Sequence, residues 1–350
     1  LGILFWRSFT QWIGGMGVIL LFIAIFPKFA VAGSQLFDKE FPGPMPDKLG
    51  PRIQATARKL WMIYVLFTVI EFVILYFFCG MNSYYAICTS LSTMPTGGFS
   101  PLNKNIAGFA NPAVEAVVII FMFLAGVNFS LHYSLIIGKF KGIFKNKEFR
   151  TYCTILIVSI LLVLWDLYRH GLSLYEAFRY SSFQVVSFMT TTGFTSCDFS
   201  GWSDFSKSIL LILMFVGGCA GSTSGAVKVI RVFVLVKHVY REIFKVLYPK
   251  GVFLIKTEEK PIPEEAIRAI ISFFIVYIFV FLLCSLIMSV IGLDFISAIS
   301  SVAATLGNVG PGFGIVTFDY SSVPVIGKAV LIFCMWMGRL ELFTVLMLFV

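Results

Sequence analysis

Three stretches of this chain superimpose residue for residue without a gap: Ser92-Thr93-Met94-Pro95-Thr96-Gly97-Gly98-Phe99-Ser100, Ser187-Phe188-Met189-Thr190-Thr191-Thr192-Gly193-Phe194-Thr195 and Ala304-Thr305-Leu306-Gly307-Asn308-Val309-Gly310-Pro311-Gly312. Gly98, Gly193 and Gly310 share one column, and Thr96, Thr191 and Asn308 share another. An apolar Met94, Met189 or Leu306 stands two residues before the polar one. Each copy closes an apolar run, about Asn82 to Met94, Ser173 to Met189 and Asp294 to Leu306, that is too short to cross a bilayer, for which a helix needs roughly twenty apolar residues. Irregular backbone at membrane depth is tolerated only where protein or a water-filled cavity satisfies its polar groups.

Longer apolar runs flank these pieces: about Trp12 to Ala32, Leu60 to Cys79, Asn111 to Ile137, Tyr152 to Tyr168, from Phe205 onward, Ala269 to Ile291 and Val323 to Val350. With 58% hydrophobic residues, 13% charged and a mean hydropathy of +0.91, the chain is no ordinary soluble globule but an all-α polytopic membrane protein. The order of span, half-span, glycine-containing turn and span occurs three times, and the opening residues read as the last span of a further copy. The expected layout is 1–32 as the last helix of an incomplete first repeat, 33–59 as a loop and 60–140 as the second repeat. A loop over 141–151, a third repeat over 152–247, a loop over 248–265 and a fourth repeat over 266–350 complete it. The chain opens Leu1-Gly2-Ile3-Leu4 without a basic region or cleavage site, so no signal peptide is expected and an N-terminal part is expected to precede it.

The formal net charge of +9 is concentrated in three connecting regions, 28–59, 138–150 and 228–268. Together they hold twenty of the 27 Lys/Arg and nine of the 18 Asp/Glu, a balance of +11, which leaves −2 for everything else. Such a distribution marks membrane topology rather than nucleic-acid binding, and the positive-inside rule predicts that these loops are cytoplasmic and the glycine turns face outward. Asp198, Asp204, Asp294 and Asp319 lie near those turns and would enrich cations there.

Catalysis and resident metals find no support. The seven cysteines are scattered and odd in number, and His132, His170 and His238 are far apart and form no metal or nucleophile motif. A rocking transporter is the nearer alternative, but it would place ionisable residues at the midplane, where chiefly Glu71, Arg339 and Glu341 are found.

Three half-spans ending in Gly and Thr instead predict a pore whose unpaired backbone carbonyls replace an ion's hydration shell. Glycine suits the shared column because turning carbonyls toward an axis requires φ values that side chains resist. The Thr96 and Thr191 hydroxyls are expected to add ligands one level further in. The long run after Phe205 is broken by Gly217-Gly218-Cys219-Ala220-Gly221-Ser222-Thr223-Ser224-Gly225, whose four glycines disfavour helix. Ala226-Val227-Lys228 follows, so this is not a phosphate-binding loop of the Walker type. A loop lining a cavity is expected. Arg339 should face the same cavity and bond the loop's carbonyls, or else pair with Glu341 or Glu71. Lys228 either contacts the loop or marks the membrane boundary.

These motifs resemble the membrane subunit of the Trk/Ktr/HKT superfamily of potassium transporters, most closely its bacterial TrkH-type members, across essentially the whole chain. The residues that carry the resemblance are Thr96-Gly97-Gly98-Phe99, Thr190-Thr191-Thr192-Gly193-Phe194, Thr305 through Gly312 and Gly217 through Arg231. The resemblance implies pseudo-fourfold repeats of helix, pore helix, selectivity-filter loop and helix around a central pore, in the bacterial inner membrane. It implies K⁺ as the transported ion, with no other cofactor in this chain. The implied ligands are Thr96, Gly97, Gly98 and Phe99, then Thr191, Thr192, Gly193 and Phe194, and finally Asn308, Val309, Gly310 and Pro311. Gly217, Gly218, Gly221, Ser222, Thr223, Ser224, Gly225, Lys228 and Arg339 would gate the path. A homodimer within the lipid bilayer and a cytoplasmic NAD/ATP-binding TrkA-like regulatory subunit are the implied partners, with no nucleic acid.

Overall fold

A computed structural model describes residues 1–17, 50–138, 140–249, 251, 253–257, 260–340 and 342–347, and the elements below are numbered among these. Part of the expected first span, the loop over 33–49 and Glu341 lie outside the described residues. Helix α1 (Gly2–Gly15) is followed by α2 (Gly50–Val73), which widens into a π turn over Ile74–Phe78, where the Cys79 amide reaches the Ile74 carbonyl. Next come the short α3 (Ser83–Thr93), α4 (Pro112–Ala125), α5 (Phe129–Ile136) and α6 (Phe140–Lys145). A third group holds α7 (Lys147–Arg169), α8 (Leu174–Met189), α9 (Asp204–Val216) and α10 (Val229–Leu247). After a minimal antiparallel ribbon, β1 (Lys256–Thr257) and β2 (Lys260–Pro261), the chain ends in α11 (Glu264–Val290), α12 (Phe295–Leu306), α13 (Val325–Leu340) and α14 (Leu342–Leu346).

Each short helix begins at a capping residue that takes up free amides. Asn82 accepts from the Tyr84 amide, Ser173 and Glu176 form a reciprocal capping box, and Asp294 accepts from the Ser297 amide. Inside these helices the buried hydroxyls turn back onto their own backbone, as Thr93 does to the Thr89 carbonyl (2.9 Å), Ser182 to Phe178 (2.7 Å) and Thr305 to Ser301 (2.7 Å). Thr93, Ser182 and Thr305 are thereby buried at little cost, because each of these hydroxyls has a partner. Of the three, α8 is the most enclosed: nearly everything from Ser181 to Met189 is buried, and Phe183, Phe188, Phe194 and Phe199 anchor the largest apolar core around it.

The surrounding helices turn apolar side chains outward, among them Ile157 and Leu161 on α7 and Phe279, Leu282 and Leu286 on α11. Exposed apolar area on that scale is the signature of a lipid-facing surface. Gln54–Phe78, Lys147–Arg169 and Glu264–Val290 are each long and apolar enough to cross a bilayer among the described residues.

Three expectations need correction. The loop expected through residue 59 ends earlier, because α2 already begins at Gly50; its Ala- and Gln-containing opening favours helix even though it carries charge. The region 228–268, expected as a basic loop, is largely helical, with α10 over Val229–Leu247 and α11 from Glu264. The run from Asn111 to Ile137 is not one helix but α4 and α5 bent by 100° at Gly126–Asn128. Asn128 caps α5 through the Ser130 amide (2.8 Å), and the carbonyls freed at the break are taken by another part of the chain, described below.

Candidate functional site

The three superimposable stretches adopt the same backbone path. Past each short helix the polar residue is left-handed, with φ of 53° at Thr96, 57° at Thr191 and 55° at Asn308, and two residues on the glycine is left-handed again, at 65°, 80° and 107°. Left-handed φ is uncommon for Thr and Asn, so its recurrence in one column points to a turn imposed by function or by the surrounding fold. Hydrogen bonds match too. The amides of Thr96, Thr191 and Asn308 reach the carbonyls of Thr93, Phe188 and Thr305, and those of Gly97, Thr192 and Val309 reach Ser92, Ser187 and Ala304. These bonds stay within each copy, so every turn is shaped by its own sequence.

The copies also touch one another in order. A Cβ on Gly98 would lie 2.0 Å from the Thr192 carbonyl oxygen, and one on Gly193 would lie 2.0 Å from that of Val309. At these two levels a side chain is excluded by the neighbouring copy as well as by φ. Gly310 has open space on that side, where its carbonyl accepts the Tyr320 hydroxyl (2.7 Å). The first two copies are braced by Ser92, whose hydroxyl oxygen accepts from the Phe99 amide (2.6 Å), and by Ser187, which donates to the Phe194 carbonyl (2.6 Å). Ala304 has no hydroxyl in that column, and Ser300 braces Phe313 instead, accepting from its amide at 2.9 Å.

A cavity of about 530 Å³ opens against these turns, lined by Thr96, Gly97, Phe99, Thr191, Asn308, Val309 and Gly310 together with Gln11, Tyr320, Lys328 and Arg339. The three short helices end at the turns, and their C-terminal ends carry partial negative charge that favours a cation nearby.

Beneath the turns lies the irregular segment 217–228, non-helical as expected, with Gly217, Gly221 and Ala226 left-handed. Its backbone is tied both to other elements and to its own side chains. The Cys219 amide donates to the Gly126 carbonyl (2.9 Å), the Gly221 carbonyl accepts from the Phe129 amide (3.0 Å) and the Thr223 amide reaches the Ala125 carbonyl (3.4 Å). The break between α4 and α5 is therefore the dock for this segment. Thr223 Oγ1 donates to the carbonyls of Met94 (2.9 Å) and Ala125 (3.3 Å), tying the segment to the first turn.

The hydroxyls expected as inner ligands are engaged here. Thr96 Oγ1 donates to the Thr223 carbonyl (3.0 Å), and Thr191 Oγ1 accepts from the Gly225 amide (2.6 Å). A Cβ on Gly225 would sit 2.7 Å from the Gly307 carbonyl oxygen, so the segment also presses against the third turn. Gly218 donates to Ser224 Oγ (3.1 Å), which is paired in turn with Ser222 Oγ (2.7 Å).

Both basic residues singled out in the sequence reach the segment. Arg339 donates to the Thr223 carbonyl (3.4 Å) and to the Gly14 carbonyl on α1 (3.3 Å). Lys228 Nζ donates to the Ser224 carbonyl (2.6 Å), so it does contact the segment. Glu71 is not the partner of Arg339, since neither of its carboxyl oxygens is hydrogen-bonded.

Sequence reasoning missed Glu148, whose buried carboxylate accepts the Ala220 amide (2.6 Å) and holds the segment from the side of α7. The available signal was its isolation, a single acid among five basic residues at a helix start. Two of the acidic residues near the turns also hold local structure. Asp294 caps α12, and Asp319 accepts the Ser321 amide (2.8 Å). Hydrogen bonds from Ser297 and from Ser321 hold both carboxyls below the usual carboxylate range.

Comparison with known proteins bears on this arrangement. The family model described as TrkH, cation transport protein, matches residues 2–350. The Trk system potassium uptake protein TrkH of Salmonella typhimurium is 42% identical over 355 residues, covering 99% of this chain and 72% of that protein. The potassium uptake protein TrkI of Halomonas elongata is 31% identical, with 99% and 71% covered. Among solved structures, the crystal structure of the potassium transporter TrkH from Vibrio parahaemolyticus superposes with a TM-score of 0.86 at 37% identity, covering 99% of this chain and 72% of that one.

Proposed function

The chain belongs to the TrkH family of cation transport proteins, membrane ion transporters and not enzymes, and on that premise we propose that it carries K⁺ into the cell through a carbonyl-lined filter. The observation that carries this reading is the paired left-handed columns, Thr96/Thr191/Asn308 and Gly98/Gly193/Gly310, each copy set against the next. Left-handed residues at every second position turn carbonyls toward one side, which is what an ion needs in place of its hydration water. The ligand set comprises residues 96–99, 191–194 and 308–311.

The segment from Gly217 to Gly225 is the gate. It lies across the inner side of the turns, polar and irregular, and Arg339 and Lys228 hold its carbonyls. A cation passing Arg339 at roughly 6 Å would meet about 3 kcal/mol of repulsion at an effective dielectric near 20. Displacing the segment, and Arg339 with it, clears the path. The names of its relatives support potassium uptake as the transported cargo and direction. In this reading the protein is a homodimer in the bacterial inner membrane, whose basic loops face the cytoplasm and whose gate answers to a TrkA-like nucleotide-binding subunit.

The test is K⁺, Rb⁺ and Na⁺ flux into liposomes containing the full-length protein and its Gly193→Ser variant. The filter reading expects the preference for K⁺ over Na⁺ to collapse in the variant. Unchanged preference in a folded protein overturns it.

A further inference from the structure

Behind the first of the three turns lies a group that neither the filter nor the gate uses. Glu71, on α2, is fully buried in a helix that crosses the membrane, and both its carboxyl oxygens lack a hydrogen-bond partner. The side chain faces α3, where Thr93 lies against it, but the Thr93 hydroxyl gives its hydrogen to the Thr89 carbonyl (2.9 Å). One turn earlier on α3, Thr89 Oγ1 is likewise buried and unpartnered. Several buried polar atoms without partners in one place need an explanation.

The protonation state of the carboxyl supplies it. An ionised carboxylate only accepts hydrogen bonds and is costly at membrane depth when unpaired, whereas the neutral acid carries an O–H that can donate to a neighbouring hydroxyl. The other titratable or charged groups on elements packed around α2 do not neutralise it. Tyr64 precedes it on the same helix and donates to the Trp12 carbonyl. Cys88 lies on α3, His132 on α5 is bonded to the Leu124 carbonyl, Glu115 on α4 is held by Arg179, and Arg339 reaches Gly14 and Thr223.

A short path leads from this carboxyl to the ion route. The Thr93 carbonyl accepts the Thr96 amide (2.9 Å), and Thr96 Oγ1 donates to Thr223 in the segment below. We propose that Glu71 is a proton-binding site and a positioning residue for the first filter turn: as the neutral acid it seats the end of α3, and on losing its proton it displaces Thr93, loosens the turn at Thr96 and lowers K⁺ selectivity. This rests on the filter reading above.

The test measures K⁺ and Na⁺ flux in liposomes at mildly acidic and mildly alkaline pH for the full-length protein, Glu71→Gln, Glu71→Ala and Gly193→Ser. Selectivity of the unaltered protein is expected to fall on the alkaline side by about threefold, the order expected for one buried hydrogen bond. Glu71→Gln, a neutral isostere, should keep the acidic-side selectivity at both pH values, and Glu71→Ala should lack it at both. The infrared carbonyl band of a protonated carboxylic acid should be present at acidic pH and missing from Glu71→Gln. The same pH profile in the unaltered protein and Glu71→Gln, or a band that survives the substitution, overturns the proposal. Gly193→Ser keeps the two readings apart: if it abolishes selectivity while Glu71→Gln changes nothing, only the Glu71 proposal falls.

Discussion

The three turns and the segment beneath them are both irregular backbone among apolar helices, yet they are held in different ways. Each turn is fixed by bonds within its own copy, Thr191 to Phe188 and Thr192 to Ser187 being repeated in the other two. The segment from Gly217 to Gly225 has some bonds of its own but is also held by Met94, Ala125, Gly126, Thr191, Glu148 and Arg339, which come from separate parts of the chain. Local bonding makes a rigid wall. Bonding spread over many partners makes an element whose position depends on how those parts sit, which is what the proposed gate requires and the proposed filter must avoid.

The comparison can be broken most easily at the wall. Gly193→Ala places a methyl 2.0 Å from the Val309 carbonyl oxygen, in a left-handed position. It should reduce K⁺ selectivity by at least about a hundredfold, since the clash and the φ strain together exceed roughly 3 kcal/mol. Gly310→Ala carries only the φ strain, because nothing lies within 4 Å of the added atom, and should retain selectivity about tenfold better than Gly193→Ala in the same flux assay. Equal losses at both positions would mean that contact between the copies does not matter.

At the segment the expected sign is reversed. Arg339→Ala removes a charged donor to Thr223 and to Gly14 and should raise basal flux roughly tenfold, in keeping with about 1.5 kcal/mol for a charged hydrogen bond. Thr223→Val removes the bonds to Met94 and Ala125 and should raise it about threefold. Neither should alter the ratio of K⁺ to Na⁺ flux. A change in that ratio would show that wall and gate are one mechanical unit.

The smallest effect concerns the caps. The Ser297 hydroxyl and amide hold Asp294 below its ordinary range, so this group contributes stability that is complete above its unfolded value near 3.8 and is lost as pH falls through the lower folded value. Thermal melts of the protein and of Ser297→Ala should differ at neutral pH and converge in strong acid. Convergence on the alkaline side would contradict the assignment.

Much of this was legible in residues alone. Aligning Gly98, Gly193 and Gly310 located the three turns, and the aligned Thr96, Thr191 and Asn308 proved to share a left-handed φ that no propensity scale assigns to Thr. The run from Gly217 to Gly225 announced an irregular segment through its glycines. Other features left no periodic trace. The run from Asn111 to Ile137 gave no sign of its break, which shows only where the Gly126 and Ala125 carbonyls accept the Cys219 and Thr223 amides. That the Thr96 and Thr191 hydroxyls bond the segment below was not legible, because a hydroxyl in the sequence does not say which peptide group the fold brings to it. Glu148 was visible as an odd charge, but not as a clamp on Ala220.

The sequence by itself determined the class of the protein, the number and place of its turns and the residues that shape them, because hydropathy, repeats and backbone propensity act over short distances along the chain. Tertiary structure alone decided that the turns pack against one another in order, that the α4–α5 break receives the segment from α9, and that Arg339 bridges α1 and Thr223. Those contacts join residues up to 325 positions apart, and a buried amide takes whichever carbonyl the packed helices bring to it.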